Sequence, residues 1–370
     1  MFTQTLTRRV LGSNLVDLLT GPHGVDRYTE LVSPTWTQND ARARIVAVRR
    51  STPRSVTLLL EPNDAFPGFK AGQHVNLSVD IDGRRRTRCY SPASAEGQRL
   101  LELTIGRHEG GLVSEHLYRN ARPGMVVGLE KVGGDFVLPA IRPRRILLIS
   151  GGSGITPVMS MLRTLIAERY DGRVTFIHYA RSRDEACYHD ELAEMSRVRV
   201  LHGYTRTPEH GGSARLDAGE AKLGPPREHG DLQGHFGAEH LVAAMPNPDA
   251  VYVCGPPALV TAVREQYPAA ISESFVPPVF TVPADPSGGQ VSFLGSTISV
   301  IDDGRTLLEQ AEAAGLQPTS GCRMGICHSC TCRKTGGAVR NLITGAISTA
   351  ESEDIQICVS VPVGDVEIDL

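Results

Sequence analysis

The stretch RRILLISGGSGITPVMSMLRTL, residues 144–165, decides the fold of the central part of this chain. A short apolar run leads into a glycine-rich turn, and the turn opens directly into a helical pattern. Glycines at 151, 152 and 154 let the backbone approach a pyrophosphate, and a helix N-terminus favours its negative charge. Gly151, Gly152, Gly154 and Thr156 are therefore candidate nucleotide-binding residues.

Further compact apolar segments follow this stretch as far as residue 275. RVTFIHYA, VRVLHGY and AVYVCG read as buried strands, and PVMSMLRTLIAERY and YHDELAEMS read as helices between them. Alternation of buried strands and helices predicts a doubly wound parallel sheet. Residues 206–236 are rich in Gly, Pro and His and predict a surface loop.

The segments before and after this central part do not show the same alternation of strands and helices. Residues 41–140 contain β-rich runs about ten residues apart, separated by Gly, Pro, Asp and Asn, which favours an antiparallel barrel or sandwich. Residues 276–290, with four prolines and two glycines, predict a linker. Strands begin and end the last segment, residues 291–370, and a helix with the sequence TLLEQAEAAG lies between them.

Composition bounds the class of protein. The chain has 370 residues, of which 41% are hydrophobic and 21% charged, so it has room for two or three folded domains. No apolar run reaches the roughly 20 residues of a membrane helix, and no secretory signal is expected at the start. Residues 281–370 hold eleven acidic and five basic residues, a net charge of −6, against −3 for the whole chain. This asymmetry indicates a separate acidic module, and the net charge does not favour nucleic-acid binding.

Five of the eight cysteines lie in the last 50 residues. Cys322, Cys327 and Cys330 are separated by four and two residues, and Cys358 follows 27 residues later. This is the plant-type [2Fe–2S] spacing, which places three thiolates on a loop and one on a distant strand. A zinc site is the alternative, although zinc favours two paired CxxC motifs. Cys332 is expected to be a non-ligand.

A second set of motifs precedes the central stretch. In RCYS, residues 88–91, Arg88 suits a phosphate, Tyr90 suits stacking on a flavin ring, and the Ser91 hydroxyl suits the flavin N5 edge. GRHEGGLVSEHL, residues 106–117, is a glycine-rich turn that enters a helix, which is an anion site. Its candidate phosphate-binding residues are Gly111, Val113 and Ser114.

The order of these motifs resembles the ferredoxin–NADP reductase superfamily over residues 41–370. RCYS, GGLVS and GDFVLP resemble its flavin domain, while GGSGITP and CGPP resemble its nicotinamide domain. The resemblance implies a nicotinamide site that includes Thr156, Cys254, Gly255 and Pro256. ISESF, residues 271–275, resembles the family's closing strand, so Glu273 and Phe275 are expected near the flavin. Ser91, Cys254 and Glu273 are the expected catalytic residues.

The C-terminal segment resembles plant-type ferredoxins, which implies a β-grasp fold. The predicted architecture is therefore a multidomain β + α/β + α+β protein. We expect an N-terminal arm at 1–40 and an antiparallel flavin-binding β-barrel at 41–142. A doubly wound nicotinamide domain follows at 143–280, and a β-grasp ferredoxin domain at 281–370.

The expected cofactors are FAD, NADPH and a [2Fe–2S] cluster, with FMN and NADH as the alternatives. NADPH is preferred because Arg181 and Arg183 follow the second strand, where a basic residue binds a 2′-phosphate, with Tyr188 nearby. Asp184 weakens this preference. An acid at the same place would favour NADH.

The module order is similar to that of oxygenase reductase components, including phthalate-type dioxygenase reductases. HGVDRYTELVSPTW and GCRMGIC most resemble actinobacterial reductases that serve membrane-bound di-iron acyl-CoA Δ9 desaturases. This resemblance implies a cytoplasmic electron-transfer enzyme that associates with the inner face of the membrane through its partner. A soluble mono- or dioxygenase or cytochrome P450 as the partner, and a non-enzymatic redox sensor, are the alternatives.

Overall fold

A computed structural model describes residues 26–37, 39–206, 230–275 and 289–370. These residues divide into two compact units, one within residues 1–75 and 90–275 and the other within 76–89 and 276–370. Most of the predicted loop and linker, and the first 25 residues of the predicted arm, lie outside the described residues. No helix in the described ranges has the length and apolar character needed to cross a bilayer.

The first sheet is formed by the β-rich segment, residues 41–140, and confirms the prediction that its strands are antiparallel. Its strands are β1 (Arg42–Thr52), β2 (Ser55–Pro62), β3 (His74–Ile81), β4 (Arg84–Tyr90), β5 (Leu101–Gly106) and β6 (Val126–Gly133), in the order β4-β3-β6-β1-β2-β5. Strand β1 pairs antiparallel with β2 and β6, and β2 with β5. Alternate side chains of β2 and β5, such as Leu58, Leu60 and Leu103, are buried because a strand presents every second residue to the same face.

Two helices accompany this sheet. Helix α1 (Asp26–Val32) belongs to the predicted N-terminal arm, and α2 (Leu112–Asn120) follows the glycine-rich turn. The arm is attached to the sheet by an ion pair of 2.7 Å between Arg42 and Glu30. The side-chain amide of Asn63 also donates to the Thr35 carbonyl at 3.2 Å.

The second sheet is parallel throughout and doubly wound, as predicted. Its strands are β7 (Arg145–Gly151), β8 (Arg173–Ala180), β9 (Arg199–Tyr204), β10 (Leu232–Gln233), β11 (Ala250–Cys254) and β12 (Ile271–Glu273), in the order β10-β9-β8-β7-β11-β12. The helices are α3 (Ile155–Ala167), α4 (His189–Ala193), α5 (Ala238–Ala244) and α6 (Pro257–Gln266). The strand order reverses direction at β7 and β11, and ligands bind at this point in open α/β sheets.

A joint of buried groups connects the flavin and nucleotide parts of the first unit. Ala71, Ala93 and Phe136 of the flavin part belong to the same hydrophobic cluster as Ile146 and Leu148 of β7. The Arg163 guanidinium on α3 donates to the Ala93 carbonyl and to a Glu102 carboxylate oxygen, both at 2.8 Å. It also donates to both carboxylate oxygens of Glu191, at 2.8 and 2.6 Å.

The C-terminal part forms the third sheet. Its strands are β13 (Gln290–Phe293), β14 (Ile298–Ile301), β15 (Thr331–Asn341), β16 (Ile347–Ser348), β17 (Glu353–Gln356) and β18 (Ser360–Asp369). The order is β14-β13-β18-β15-β16, β17 pairs with β15, and helix α7 (Leu307–Ala313) packs on the sheet. Thr306 and Glu309 form a capping box at the start of α7, which satisfies two backbone N–H groups there.

A tight hairpin joins β3 and β4. Arg84, Arg85 and Arg86 lie at the start of β4, directly after the turn. The turn is made by Asp82 and Gly83, with φ of 51° and 74°. These left-handed angles suit an Asp-Gly pair in a tight hairpin.

Candidate functional site

The four predicted cluster ligands lie close together as two pairs of thiols. The Sγ atoms of Cys322 and Cys327 lie within 4.8 Å of each other. The thiols of Cys330 and Cys358 perturb each other's pKa, which places them side by side. Cys322, Cys327 and Cys330 lie between α7 and β15, and Cys358 lies between β17 and β18. A [2Fe–2S] cluster needs two thiolates for each of two irons, so this donor set fits the group that the spacing predicts.

Backbone amides point at the sulfur atoms of the loop. Cys327 Sγ accepts N–H groups from Cys322 at 3.2 Å and from Ser329 at 3.5 Å, and Cys322 Sγ accepts one from Met324 at 3.3 Å. The loop makes these turns because Arg323, Gly325 and His328 are left-handed, with φ of 57°, 75° and 57°. Donors aimed at sulfur stabilise thiolate charge.

A third thiol lies beside one of these pairs. The Sγ atoms of Cys89, Cys322 and Cys327 all lie within 4.8 Å of one another. Cys89 is the second residue of the RCYS motif, between Arg88 and Tyr90. No sequence signal identifies it, because the contact depends on the folded hairpin that carries it.

The predicted flavin residues occupy the end of β4 and the turn before α2. Ser91 is buried, and its Oγ has no hydrogen-bond partner among the described residues. A buried hydroxyl normally has a partner, so this one fits a polar edge of the predicted flavin. Arg88 and Tyr90 lie two residues apart on β4 and therefore share a face.

The turn before α2 is shaped by its own side chains. The Ser114 hydroxyl accepts from the His108 N–H at 3.4 Å and donates to the Gly111 carbonyl at 3.3 Å. A Cβ on Gly111 would stand 2.5 Å from Ser114 Oγ and 3.0 Å from the His108 carbonyl oxygen, so any other residue would have to displace the Ser114 hydroxyl. Val113 is buried. The amides of the first helical turn are consequently the anion-binding groups that this turn offers.

The two nucleotide motifs meet backbone to backbone at the point where the strand order reverses. Strands β7 and β11 are neighbours, with Ser150 opposite Cys254. A Cβ on Gly154 would lie 2.3 Å from the Cys254 carbonyl oxygen, and one on Gly255 would lie 3.1 Å from the Gly151 nitrogen. A Cβ on Gly151 would lie 2.9 Å from Cδ of Pro256. The missing side chains therefore create the cradle in which backbone can approach a pyrophosphate.

Four further predicted residues lie near this crevice. Gly152 is left-handed, with φ of 54°, and the Thr156 hydroxyl donates to the Ser153 carbonyl at 3.3 Å. Cys254 is fully buried and faces Glu273 across β11 and β12. Phe275 packs against the hydrophobic cluster that contains Cys254.

Glu273 has the electrostatics of a proton-holding group. Burial raises the pKa of its carboxyl to about 8, and Oε2 has no hydrogen-bond partner among the described residues. The carboxyl is therefore largely protonated at neutral pH. A neutral acid at this position can hold or donate a proton without placing a negative charge beside bound cofactors.

The predicted 2′-phosphate residues separate into two groups. Arg181 Nη1 lies 3.9 Å from Glu185, and Arg206 Nη1 lies 3.9 Å from the other oxygen of the same carboxylate. The Arg206 N–H donates to the Arg181 carbonyl at 3.0 Å, so the ends of β8 and β9 bring both arginines together. Arg183 follows Arg181 on the same turn. Sequence reasoning missed Arg206, although parallel strands that neighbour each other end at one edge.

Tyr188 does not lie with these arginines, contrary to expectation. Its side chain is 9% exposed, and its hydroxyl is hydrogen-bonded to Thr104 of β5. The Arg163 guanidinium lies 5.0 Å from its ring centroid. Tyr188 therefore lies between the flavin and nucleotide parts and not at the 2′-phosphate site.

Comparisons with known proteins agree with this arrangement. Three family models match: an oxidoreductase FAD-binding domain over residues 48–137, an oxidoreductase NAD-binding domain over 148–265 and a 2Fe-2S iron-sulfur cluster binding domain over 292–363. The structure of phthalate dioxygenase reductase is similar in fold, with a TM-score of 0.55 and 23% identity. That similarity covers 89% of this chain and 97% of the reductase.

Relatives extend over nearly the whole chain. An NADPH oxidoreductase of Mycobacterium tuberculosis is 33% identical over 366 residues, covering 95% of this chain and 90% of the relative. A glycine betaine monooxygenase reductase subunit of Pseudomonas aeruginosa is 29% identical and covers 92% and 98%. The fold and these matches define an NAD(P)H-dependent oxidoreductase with FAD and a [2Fe–2S] cluster. The chain belongs to the ferredoxin reductase-type family of flavin and iron–sulfur reductases.

Proposed function

We propose that this chain passes electrons from NADPH through FAD and the [2Fe–2S] cluster to an oxygenase-type acceptor. One observation carries the proposal: the thiols form two pairs, Cys322 with Cys327 and Cys330 with Cys358. Backbone N–H groups also point at the sulfur atoms of the loop. In this proposal these four cysteines are the cluster ligands. The division of the chain at 1–40, 41–142, 143–280 and 281–370 into arm, flavin, nicotinamide and ferredoxin parts belongs to the same proposal.

The remaining site residues receive roles from their surroundings. When bound, NADPH supplies a hydride, and the flavin converts the electron pair into single electrons for the cluster. Ser91 offers to the flavin edge a buried hydroxyl that has no hydrogen-bond partner in the described part of the chain, and the fully buried Cys254 closes the nicotinamide crevice. Glu273 holds a proton at the same crevice. Arg181, with Arg206 beside it, binds the 2′-phosphate and makes NADPH the preferred donor over NADH.

A membrane-bound di-iron acyl-CoA desaturase is our first candidate for the acceptor. The support is the resemblance of HGVDRYTELVSPTW and GCRMGIC to reductases that serve such enzymes. In the described part of the arm, Leu31, Val32 and Trp36 are exposed, with relative exposures of 84%, 73% and 57%. Neighbouring exposed apolar side chains suit a surface that meets another protein or a membrane. The chain would then work at the inner face of the membrane through its partner.

A soluble oxygenase is the second candidate. Relatives named as reductase subunits of glycine betaine monooxygenase and of stachydrine N-demethylase favour it. A cytochrome P450 belongs to the same class of acceptor. In each of these cases the electron route inside the chain is unchanged, so only the acceptor distinguishes them.

The acceptor is tested by reconstitution. Stearoyl-CoA, NADPH and desaturase-containing membranes from the source organism are incubated with and without the chain, and oleoyl product is measured. Product that depends on the intact chain, and not on Cys327→Ser, supports the desaturase. Rapid reduction of cytochrome c by NADPH without oleoyl product contradicts the desaturase and directs the search to soluble oxygenases. Failure to turn over any artificial acceptor would favour a redox sensor.

A further inference from the structure

Two residues of the β3–β4 hairpin contact the cluster loop, although neither is one of the proposed ligands. The Asn76 side-chain amide donates to the Cys327 carbonyl at 2.9 Å, and Cys89 Sγ donates to Asn76 Oδ1 at 3.1 Å. Cys89 Sγ also lies within 4.8 Å of the sulfurs of Cys322 and Cys327. Asn76 is 2% exposed, and these two hydrogen bonds occupy both ends of its side-chain amide.

This arrangement places a hydrogen-bond donor beside thiolate ligands. Cys89 has a single S–H proton, and a three-centre hydrogen bond can share it between Asn76 Oδ1 and a ligand sulfur. The part that falls on sulfur is favoured because hydrogen bonds to ionised acceptors are stronger than those between neutral groups. Asn76 holds the Cys89 side chain in place and at the same time fixes the backbone of Cys327. Hydrogen bonds to the sulfurs and exclusion of water are among the factors that set the potential of an iron–sulfur cluster.

The position of Cys89 in the chain links this contact to the flavin motif. Cys89 directly precedes Tyr90 and Ser91, the residues proposed to meet the flavin. We propose that Cys89, held by Asn76, is a positioning residue that donates a hydrogen bond to the Cys322–Cys327 side of the cluster and raises its reduction potential. A higher potential favours electron transfer from the flavin into the cluster. The inference rests on the proposed ligand set, in which four thiolates already satisfy two irons and Cys89 stays a thiol.

Two substitutions at one position separate hydrogen bonding from packing. Cys89→Val keeps an apolar side chain of similar size in a strand but removes the donor, whereas Cys89→Ser keeps a donor. EPR-monitored redox titration of the purified holoprotein measures the cluster directly. At the midpoint of the wild-type cluster, the ratio of reduced to oxidised cluster should fall three- to tenfold in Cys89→Val, a shift of about 30 to 60 mV. Cys89→Ser should stay within about twofold of the wild type.

Two further variants complete the test. Asn76→Leu, which removes both hydrogen bonds at similar size, should shift the potential in the same direction and serves if Cys89→Val does not fold. Cys187→Val replaces a buried thiol of the other unit, which lies 3.5 Å from Ser55 Oγ, and should leave the potential unchanged. A wild-type potential in both Cys89→Val and Asn76→Leu overturns the inference.

The remaining outcomes distinguish a failure of the Cys89 inference from a failure of the proposed ligand set. Loss of iron and labile sulfide from folded Cys89→Val and Cys89→Ser would make Cys89 a ligand and overturn its role as a donor. A full complement of cluster in Cys327→Ser would overturn the ligand set itself. An unaltered ligand set with an unaltered potential in Cys89→Val would overturn only the inference.

Discussion

The cluster loop and the nucleotide crevice are both turns that receive a cofactor, but they are built in opposite ways. In the cluster loop, side chains converge on the binding position, and left-handed Arg323 and His328 wind the backbone around them. In the nucleotide crevice, side chains are absent where binding is expected, and Gly154 brings one backbone against another. A covalent site is therefore defined by which residues are present, and an anion site by which side chains are missing.

The difference explains how tolerant each region is to change. A thiolate ligand is a chemical requirement, since no other side chain of similar size bonds iron in the same way. A glycine in the crevice is needed because there is no space for a side chain. A larger side chain at such a position therefore causes a larger clash. The charged residues at the end of β8 are less constrained than either, because they act through solvent-exposed ion pairs.

The largest effect is expected at the cluster. Cys327→Ser removes a ligand that accepts two backbone N–H groups, so the [2Fe–2S] absorbance and EPR signal should disappear. Reduction of FAD by NADPH, followed by stopped-flow absorbance, should stay within about twofold of the wild type, because hydride transfer does not involve the cluster. Cys332→Ser is the control and should keep the cluster, because Cys332 lies on strand β15 and belongs to neither thiol pair. Loss of flavin reduction in Cys327→Ser would contradict the modular picture.

The second effect tests the crevice. Gly154→Val places a side chain where even a Cβ would lie 2.3 Å from the Cys254 carbonyl oxygen. The two nucleotide loops must separate, and displacement of about 1 Å at a reacting centre is worth about 100-fold in rate. We expect a loss of that order in kcat/KM for NADPH with ferricyanide as acceptor, at normal flavin content. Gly106→Ala, whose Cβ meets nothing closer than 3.8 Å, should leave kcat/KM within twofold.

The third effect concerns the charged edge. Arg181→Ala should raise the KM for NADPH about tenfold and the KM for NADH less than twofold, because one charge-assisted hydrogen bond is worth about 1.5 kcal/mol. Glu185→Gln is the matched variant. It removes the carboxylate that lies 3.9 Å from Arg181 and should lower the KM for NADPH. Equal changes for the two donors in Arg181→Ala would exclude a 2′-phosphate contact by this residue.

The smallest effect is one of stability and pH. The native pKa of Glu273 is raised to about 8 from the ordinary 4.5, so between these values the folded protein holds a proton that the unfolded chain has lost. Stability from this carboxyl is therefore lost as pH rises through that window, by about 1.4 kcal/mol for each pKa unit that persists in solution. Glu273→Gln should flatten the decline in melting temperature between pH 6 and pH 9 by a few degrees. Parallel pH profiles for the two proteins would show that burial does not perturb Glu273.

The sequence predicts the architecture well because the architecture depends on local patterns. Strand–glycine–helix order predicts the parallel sheet, and cysteine spacing predicts a convergent donor set. Arg206 escapes prediction because it meets Arg181 only through the pairing of β8 with β9. The prediction for Tyr188 is wrong because the residue has a left-handed conformation, with φ of 59°, and its hydroxyl meets Thr104 instead of the 2′-phosphate site. Contacts between elements distant in sequence, such as Asn76 with Cys327, require the fold itself.

The hydrogen bonds of Arg163 connect the flavin part of the chain to the nucleotide part and affect how the two unfold. One guanidinium satisfies Glu102, Glu191 and the Ala93 carbonyl, and removing a partner from such a half-buried network leaves uncompensated charge behind. We therefore expect the flavin and nucleotide parts to unfold as one cooperative block rather than independently. A block that holds together in this way can be joined to different electron-accepting modules without losing its own stability, whereas neither half is expected to survive excision alone.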